Sequence, residues 1–275
     1  MSNIKILVAC HKPDVCRHDV VFTPIHVGRE ISKITDKMSN FIGDNTGDNI
    51  SSLNPYYCEL TAQYWMWKNL KNVDIVGLAH YRRYFKGADT EDNIKRLLGN
   101  ADVIMANRLY ERFSMADKIA LAATSEDLYI FVDCLKKVSP DYFDAACNIL
   151  EGNYHSPYNM FIMRKADFDK FAEWQFSILR EVYGKIRFSS YCRMKRVLGY
   201  MAELLLSIYV LKNNMKAKYL SVVDYDGNLI LPFKYNIFRK LYINLGFRLF
   251  NHRKLKFDDS AVKVGLKNDN IDINL

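Results

Sequence analysis

The chain has 275 residues, 49% of them hydrophobic and 25% charged, which suits one large globular domain, or one domain with an appendage, and excludes a scaffold that needs disulfides or metals to build a core. Its six cysteines form no Cys-x-x-Cys pair and no apolar run is long enough to span a bilayer, which excludes the usual zinc and dithiol motifs and a transmembrane helix. The formal net charge of +8 favours anionic partners, namely nucleotide phosphates, nucleic acid or acidic lipid head groups.

Predicted strands and helices alternate along the chain. Short apolar runs predict strands at residues 4–10, 24–28, 73–79, 101–106, 160–163 and 217–223. Helical spacing of apolar residues predicts helices at residues 54–69, 90–98, 114–138, 140–150, 166–183 and 200–211. Asn54 is expected to cap the first helix, and residues 43–52, dense in Gly, Asp and Asn, are expected to form a long loop before it. This order predicts an α/β fold with a mixed, mainly parallel sheet flanked by helices.

Polar residues directly follow two of the predicted strands, where ligands bind in open α/β sheets. His11 follows the first strand, and His80, Tyr81, Arg82 and Arg83 follow the third. Two adjacent arginines flanked by aromatic rings form a compact anion site, because a guanidinium binds phosphate through two hydrogen bonds and stays charged at any working pH. The alternative is a surface arginine pair that merely packs beside aromatic rings.

Four segments carry a family resemblance: YCELTAQYWMWKN at residues 57–69, GLAHYRRYF at 77–85, YNMFIM at 158–163 and GYMAELL at 199–205. They resemble a bacterial glycosyltransferase family, long catalogued as domain of unknown function 4422, that occurs in capsule, exopolysaccharide and O-antigen gene clusters. The resemblance implies a GT-A-like fold, a single Rossmann-type domain that holds a nucleotide at its strand ends. We place this domain at residues 1–225 and a basic amphipathic extension at residues 226–275.

The resemblance also implies transfer of a sugar from a nucleotide donor to a growing glycan, with UDP-galactofuranose or UDP-galactose as candidate donors. Many GT-A enzymes hold a divalent metal with an Asp-x-Asp motif after a central strand, but here that strand end carries no carboxylate. We therefore expect Arg82 or Arg83 to supply the charge that stabilises the departing UDP, with His11 and Tyr81 beside the diphosphate and no required metal.

Asp44 and Asp48, in the loop at residues 43–52, are the rival ligands for the donor and for Mn²⁺ or Mg²⁺. Their side chains could instead bond the local backbone and shape the turns. The sequence leaves both alternatives open.

An inverting transferase needs a carboxylate or a histidine to take the proton of the acceptor hydroxyl. Glu203 is the first candidate, because an acidic side chain in an apolar helix must be paired or functional. The alternative for Glu203 is an ion pair with Arg193 or Arg196. His80 is a second candidate for the base.

Three further residues are expected on the acceptor side, where they could hydrogen-bond sugar hydroxyls or help to position them. They are Glu59 in the first long helix, and His155 and Asn159 before the strand at residues 160–163. A purely structural role, such as shaping a turn, is the alternative for each.

The stretch at residues 233–257 mixes bulky apolar residues with Lys and Arg and contains no acid. Its apolar members fall mostly on one helical face: Ile237, Phe238, Leu241, Tyr242, Leu245, Leu249 and Phe250. A basic amphipathic helix of this kind predicts contact with an anionic membrane, which suits an acceptor carried on a lipid. The alternative is a docked terminal helix with solvated cations, and Gly246 weakens the helix prediction.

Together these features predict a cytoplasmic enzyme on the inner face of the plasma membrane, since no signal-peptide pattern precedes the first strand. The predicted reaction is transfer of a hexose, with inversion, from a UDP-sugar to a lipid-linked oligosaccharide acceptor. A non-catalytic sugar-nucleotide-binding protein and a nucleic-acid-binding module are the alternatives. We expect no nucleic-acid partner, because no nucleic-acid motif occurs and the polar residues follow strands.

Overall fold

The computed structural model describes residues 3–230 and 237–275. Its strands are β1 (Ile4–Cys10), β2 (Phe22–His26), β3 (Ile42–Gly43), β4 (Ile75–His80), β5 (Tyr84–Phe85), β6 (Val103–Ala106), β7 (Leu109–Tyr110), β8 (Tyr154–His155), β9 (Phe161–Arg164), β10 (Ala217–Leu220) and β11 (Val222–Val223). Its helices are α1 (Asn54–Tyr57), α2 (Leu60–Asn69), α3 (Glu91–Leu98), α4 (Met115–Ala122), α5 (Ser125–Val138), α6 (Phe143–Glu151), α7 (Lys165–Lys185), α8 (Cys192–Lys195), α9 (Val197–Lys212), α10 (Ile237–Gly246) and α11 (Ser260–Asn268). Short 3-10 turns lie at Arg29–Ile31, Asp36–Met38, Ser51–Leu53 and Pro140–Tyr142, and a π-helical turn at Phe247–Asn251.

Seven strands form one sheet in the order β10-β6-β9-β4-β1-β2-β3. All neighbours are parallel except β9, which runs antiparallel to both β4 and β6. The central strands β1 and β4 are almost wholly buried, which explains why they read as continuous apolar runs. The structure confirms the predicted α/β class with a mixed, mainly parallel sheet.

The direction of β9 decides which residues meet at the ligand-binding edge of the sheet. Leu78 of β4 pairs with Phe161, the first residue of β9. The residues that precede β9 therefore lie beside the carboxyl end of β4. The carboxyl ends of β1 and β4 are also adjacent, since Ala9 pairs with His80.

The chain divides into two compact units. The first, here called the sheet unit, comprises Met1–Asn107, Ser156–Glu173 and Asn214–Phe233, and the second, the helical unit, comprises Arg108–His155, Trp174–Asn213 and Lys234–Leu275. The sheet unit holds the seven-stranded sheet and the β5–β11 pair, and the helical unit holds the β7–β8 hairpin. The sequence-based division at residues 225 and 226 differs from this one and stays a prediction.

Three predicted elements are interrupted. The helix expected at 54–69 becomes α1 and α2, because Cys58 interrupts the helical backbone with a φ of 53°. Asn54 lies within α1, and its side-chain amide donates to the Cys58 carbonyl and the Thr61 hydroxyl instead of capping. The helix expected at 114–138 breaks into α4 and α5, because the Thr124 hydroxyl caps α5. The strand expected at 217–223 divides into β10 and β11, which belong to different sheets.

The predicted amphipathic stretch at 233–257 is a helix over α10, whereas residues 233–236 lie outside the described residues. All six cysteines are free thiols. Within residues 3–230 and 237–275, no helix combines the length and the apolar character needed to cross a membrane.

Candidate active site

The carboxyl end of β4 is tied to the turn that leads into β9. His80 Nε2 lies 2.7 Å from the carbonyl oxygen of Tyr158. Because a carbonyl oxygen can only accept, Nε2 carries the hydrogen, and Nδ1 is the ring atom that could take up a further proton. This bond gives His80 a clear role in holding the turn, and its proposed role as a base depends on Nδ1 alone.

The turn before β9 has an unusual backbone. Tyr158 and Asn159 both have positive φ, 79° and 52°, a conformation that asparagine tolerates and tyrosine adopts only with strain. The Asn159 side chain is buried, and its Nδ2 donates to Glu59 Oε1 at 2.7 Å. Two residues that the sequence predicted on the acceptor side, Glu59 and Asn159, are thus brought together and bind each other.

The two arginines of the predicted diphosphate site have different surroundings. Arg82 is exposed, and its Nη2 and Nε lie 2.7 and 3.0 Å from Asp14 Oδ2. This hydrogen-bonded guanidinium lowers the pKa of the Asp14 carboxyl. Asp14 offsets part of the charge of Arg82, and the expected contact of Arg82 with a diphosphate stays a prediction.

Arg83 keeps its charge uncompensated. Its guanidinium carbon lies 4.3 Å from the centroid of the half-buried Tyr158 ring, and no carboxylate in the described part of the chain forms an ion pair with it. A guanidinium held over an aromatic face is preorganised to bind phosphate. Nearby, the His11 and Tyr81 rings meet edge to face at 5.4 Å, as the pairing of β1 with β4 requires.

The two aspartates of the loop at residues 43–52 have different surroundings. Asp44 is fully buried, and its carboxylate accepts hydrogen bonds from the Gly28 and Arg29 amides, at 2.7 and 3.1 Å, and from the Ser51 hydroxyl. This corrects the rival assignment of Asp44 to the donor or a metal, because its oxygens already bond the local backbone and a neighbouring hydroxyl. Asp48 accepts from the Tyr64 hydroxyl at 3.1 Å. Among the described residues, no three His, Cys, Asp or Glu side chains are grouped to hold a metal ion.

The helical unit contains a second polar cluster, here called the acid–base cluster, made of Glu111, Lys118, His155 and Glu203. Lys118 Nζ lies 2.7 Å from Glu111 Oε1 and 3.0 Å from His155 Nε2. Glu203 Oε2 lies 3.5 Å from the same His155 nitrogen. The structure therefore places the predicted base, Glu203, against the predicted acceptor-side residue His155.

Burial and the positive charge of Lys118 lower the pKa of His155 to about 3. The imidazole is therefore neutral at physiological pH and does not form a true ion pair with Glu203. A neutral His155 carries no positive charge that would pair with the Glu203 carboxylate.

Sequence reasoning missed Glu111, Lys118 and His26. Lys118 on α4 contacts both His155 of β8 and Glu111, which follows β7, and no local sequence pattern indicates these tertiary contacts. His26 ends β2 and is fully buried, and both ring nitrogens lack a hydrogen-bond partner in the described structure; its pKa is lowered by burial and by Arg29. A lone histidine within the apolar strand predicted at residues 24–28 is the signal that could have identified it.

The sequence matches the family described as Domain of unknown function (DUF4422) over residues 5–214. The fold is similar to a solved apo structure of WbbM, a bifunctional glycosyltransferase, with a TM-score of 0.72 and 28% sequence identity. That similarity covers 85% of this chain and 48% of the WbbM chain, so this protein corresponds to about half of its neighbour's length. No curated protein matches the sequence. The mixed sheet, the strand-end motif and the match over residues 5–214 agree, and the chain belongs to the DUF4422 family.

Proposed function

We propose that this protein is a glycosyltransferase that moves a sugar from a UDP donor, with UDP-galactofuranose and UDP-galactose as the candidates, to a lipid-linked glycan acceptor. The similarity in fold and sequence to WbbM, a bifunctional glycosyltransferase, supports transfer of a sugar. The observation that carries the proposal is the cluster at the carboxyl edge of the sheet, where Arg83 lies on Tyr158 next to the ends of β1 and β4.

In the proposed reaction, the guanidinium of Arg83 binds the donor's diphosphate. The acceptor hydroxyl oxygen forms a bond to the anomeric carbon while the bond from that carbon to the UDP oxygen breaks. The electron pair of the broken bond stays on UDP, whose growing negative charge a preorganised cation stabilises. Because Arg83 can provide this charge, we propose that no divalent metal is required, although Mn²⁺ or Mg²⁺ could assist.

Glu203 is proposed as the base that takes the proton of the acceptor hydroxyl in an inverting displacement. The neutral state of His155 supports this role, because an imidazolium at 3.5 Å would compete for the carboxylate. His80, whose Nε2 already donates to the Tyr158 carbonyl, is better suited to positioning the Arg83–Tyr158 pair than to proton transfer. Glu59 acts in the same way through Asn159.

The proposed cellular setting follows from the acceptor. A glycan on a lipid carrier is reached at a membrane surface, and we propose a cytoplasmic protein that contacts the inner face of the plasma membrane through residues 233–257. Capsule, exopolysaccharide or O-antigen synthesis would be the pathway type. The strong positive charge of this segment supports an anionic surface as the partner.

The test is UDP binding and turnover of a UDP-sugar by purified variants. Arg83→Ala is expected to weaken UDP binding by about tenfold or more, since a phosphate contact from a preorganised cation is lost. Arg82→Ala is expected to have a smaller effect because Asp14 already neutralises that side chain. Arg96→Ala, an exposed arginine on α3, is the matched control and should bind UDP as the wild type does.

Glu203→Gln should bind UDP normally and lose most turnover. Retention of full turnover by this folded variant would remove Glu203 as the base. Equal UDP binding by Arg83→Ala and Arg96→Ala would remove the diphosphate assignment. Steeply salt-dependent oligonucleotide binding with no UDP binding would favour the nucleic-acid alternative instead.

A further inference from the structure

Helix α10 and the π-helical turn after it present large apolar side chains to solvent. Six of them have exposed fractions between 59% and 76% and are called the outer face here: Phe238, Leu241, Tyr242, Leu245, Leu249 and Phe250. The first four recur at helical spacing, so they share one side of α10. A contiguous exposed apolar patch of this kind is uncommon on a monomeric soluble protein and marks an interaction surface.

The opposite side of the same element is docked on the helical unit. Ile243 and Phe247 are buried, Lys240 Nζ lies 4.7 Å from the centroid of the Tyr110 ring, and Asn251 Nδ2 donates to the Arg112 carbonyl oxygen at 2.7 Å. The two alternatives that the sequence left open, a docked helix and a membrane-contacting helix, are therefore compatible. The protein uses one side for docking, and the outer face remains exposed.

The charged residues in the stretch of chain that carries the outer face are all positive. Residues 227–257 contain no Asp or Glu, and the cations that follow the outer face along the chain are exposed: Arg248, Arg253, Lys254 and Lys256. Lys254 forms an ion pair with Glu151 and is still largely exposed. Apolar side chains bordered by cations are complementary to an anionic lipid bilayer, in which the hydrocarbon takes the former and the head groups take the latter.

We propose that the outer face inserts into an anionic phospholipid bilayer while Ile243 and Phe247 keep α10 fixed to the β7–β8 hairpin. This inference names the residues that would make the membrane contact of the proposed function. It rests on that function only for the identity of the acceptor. The partner is the bilayer itself, and a second copy of the chain is the competing occupant that the experiment must exclude.

The docking side links the bilayer to the acid–base cluster. Lys240 contacts Tyr110 of β7, and Leu109 of β7 pairs with His155 of β8. The β7–β8 hairpin thus connects the inserted helix to His155, which contacts Lys118 and Glu203. Membrane insertion would therefore hold the acid–base cluster at a fixed depth relative to the head groups, where a glycan joined to a lipid carrier begins.

The experiment is sedimentation of the full-length protein with vesicles of phosphatidylcholine alone and of phosphatidylcholine mixed with phosphatidylglycerol. Wild type is expected to bind the mixed vesicles and to bind the neutral ones much more weakly. The double variant Phe238→Ser/Leu245→Ser should bind the mixed vesicles about tenfold or more weakly, because two inserted side chains are lost. Leu121→Ser/Val264→Ser, which replaces two exposed apolar residues elsewhere in the helical unit, is the matched control and should bind as the wild type does.

Equal vesicle binding by the two double variants, with unchanged thermal unfolding, would overturn the inference. A concentration-dependent dimer that Phe238→Ser/Leu245→Ser dissolves, with no vesicle binding by wild type, would assign the outer face to a second copy. UDP binding is measured on the same samples and is expected to be unchanged in Phe238→Ser/Leu245→Ser. Normal vesicle binding without UDP binding would sink the proposed function and leave the membrane surface standing.

Discussion

At the scale of single residues, hydrogen-bond partners decide the role of each aspartate in the loop at residues 43–52. Asp44 and Asp48 look equivalent in the sequence, yet Asp44 is fully buried and accepts from two backbone amides and a hydroxyl. Asp48 sits at the surface and accepts from Tyr64. The sequence shows the loop and its turn-forming residues, but it cannot show which carboxylate becomes the internal acceptor, because that depends on Gly28 and Ser51 folding around it.

Asp44→Ala is expected to lower the free energy of unfolding by about 3 kcal/mol, because the buried donors of Gly28, Arg29 and Ser51 lose their acceptor. Asp48→Ala, in the same loop, should lower it by less than about 1 kcal/mol. Chemical denaturation of both variants measures the difference. Equal, small effects would mean that Asp44 is not the structural acceptor described above and would reopen its rival assignment.

His155 makes the stability of the protein sensitive to acid. The folded imidazole binds its proton only near pH 3, whereas an unfolded one binds it near 6.5. Between these values the unfolded chain holds more protons, so the free energy of unfolding falls as the pH is lowered, by at most about 1.4 kcal/mol per pH unit. Above pH 6.5 both states are neutral and the effect vanishes.

His155→Gln should therefore lose less stability than wild type when the pH is lowered from 6.5 to 4. His18→Gln replaces an exposed histidine and serves as the control with wild-type pH dependence. Denaturant unfolding across this pH range gives the comparison. Parallel curves for wild type and His155→Gln would show that this imidazole is not held neutral by its surroundings.

At the scale of elements, the periodic pattern located most strands and helices but not their interruptions. The break at Cys58 separates α1 from α2 although residues 54–69 read as one helix, because Cys58 has a positive φ and its carbonyl oxygen accepts from the Asn54 side chain. The break before α5 was visible only as Thr124, one possible cap among several polar residues. Periodicity reports which face is buried, whereas a break depends on tertiary bonds to one or two residues.

Gly77, in the middle of β4, allows close packing of β4 against β9. A methyl group there would lie 2.8 Å from the Phe161 carbonyl oxygen and 2.9 Å from Ile162 Cγ1. Gly77→Ala is expected to lower the free energy of unfolding by about 1–3 kcal/mol, because backbone cannot move aside cheaply. Gly184 in α7 has open space around it, so Gly184→Ala should raise the free energy by up to about 1 kcal/mol.

Thermal or denaturant unfolding of both glycine variants provides the measurement. Opposite signs are expected from the same chemical change. A neutral Gly77→Ala would mean that β4 and β9 can separate without penalty, contrary to the pairing of Gly77 with Ile162.

At the scale of the whole molecule, the sequence predicted the fold class and the residues that follow the sheet strands, but not the residues that the antiparallel strand β9 brings beside them. Alternation of strands and helices was enough for the α/β class, and the rule that ligands bind at carboxyl strand ends selected His11, His80, Arg82 and Arg83. The antiparallel direction of β9 was not predictable from its four apolar residues. That direction brings Tyr158 and Asn159 to the edge where β4 ends. Arg83 therefore contacts the Tyr158 ring, whereas Arg82 pairs with Asp14.

The charge of the C-terminal stretch could be predicted from the sequence, whereas the side of α10 that docks could not. The lack of acids in residues 227–257 could be read directly, and it indicated a surface for anions. Which side of α10 would dock and which would stay exposed depended on Tyr110 and Arg112, which lie more than a hundred residues earlier in the sequence.

The strained tyrosine in the turn before β9 has a consequence for anyone who evolves this protein in the laboratory. Glycine adopts a positive φ without penalty, so Tyr158→Gly would relieve the backbone strain at this position, while it would lose the packing of the half-buried ring against the core. The same exchange removes the ring beneath Arg83. Relief of backbone strain and the proposed binding of the donor by Arg83 therefore favour different residues at position 158.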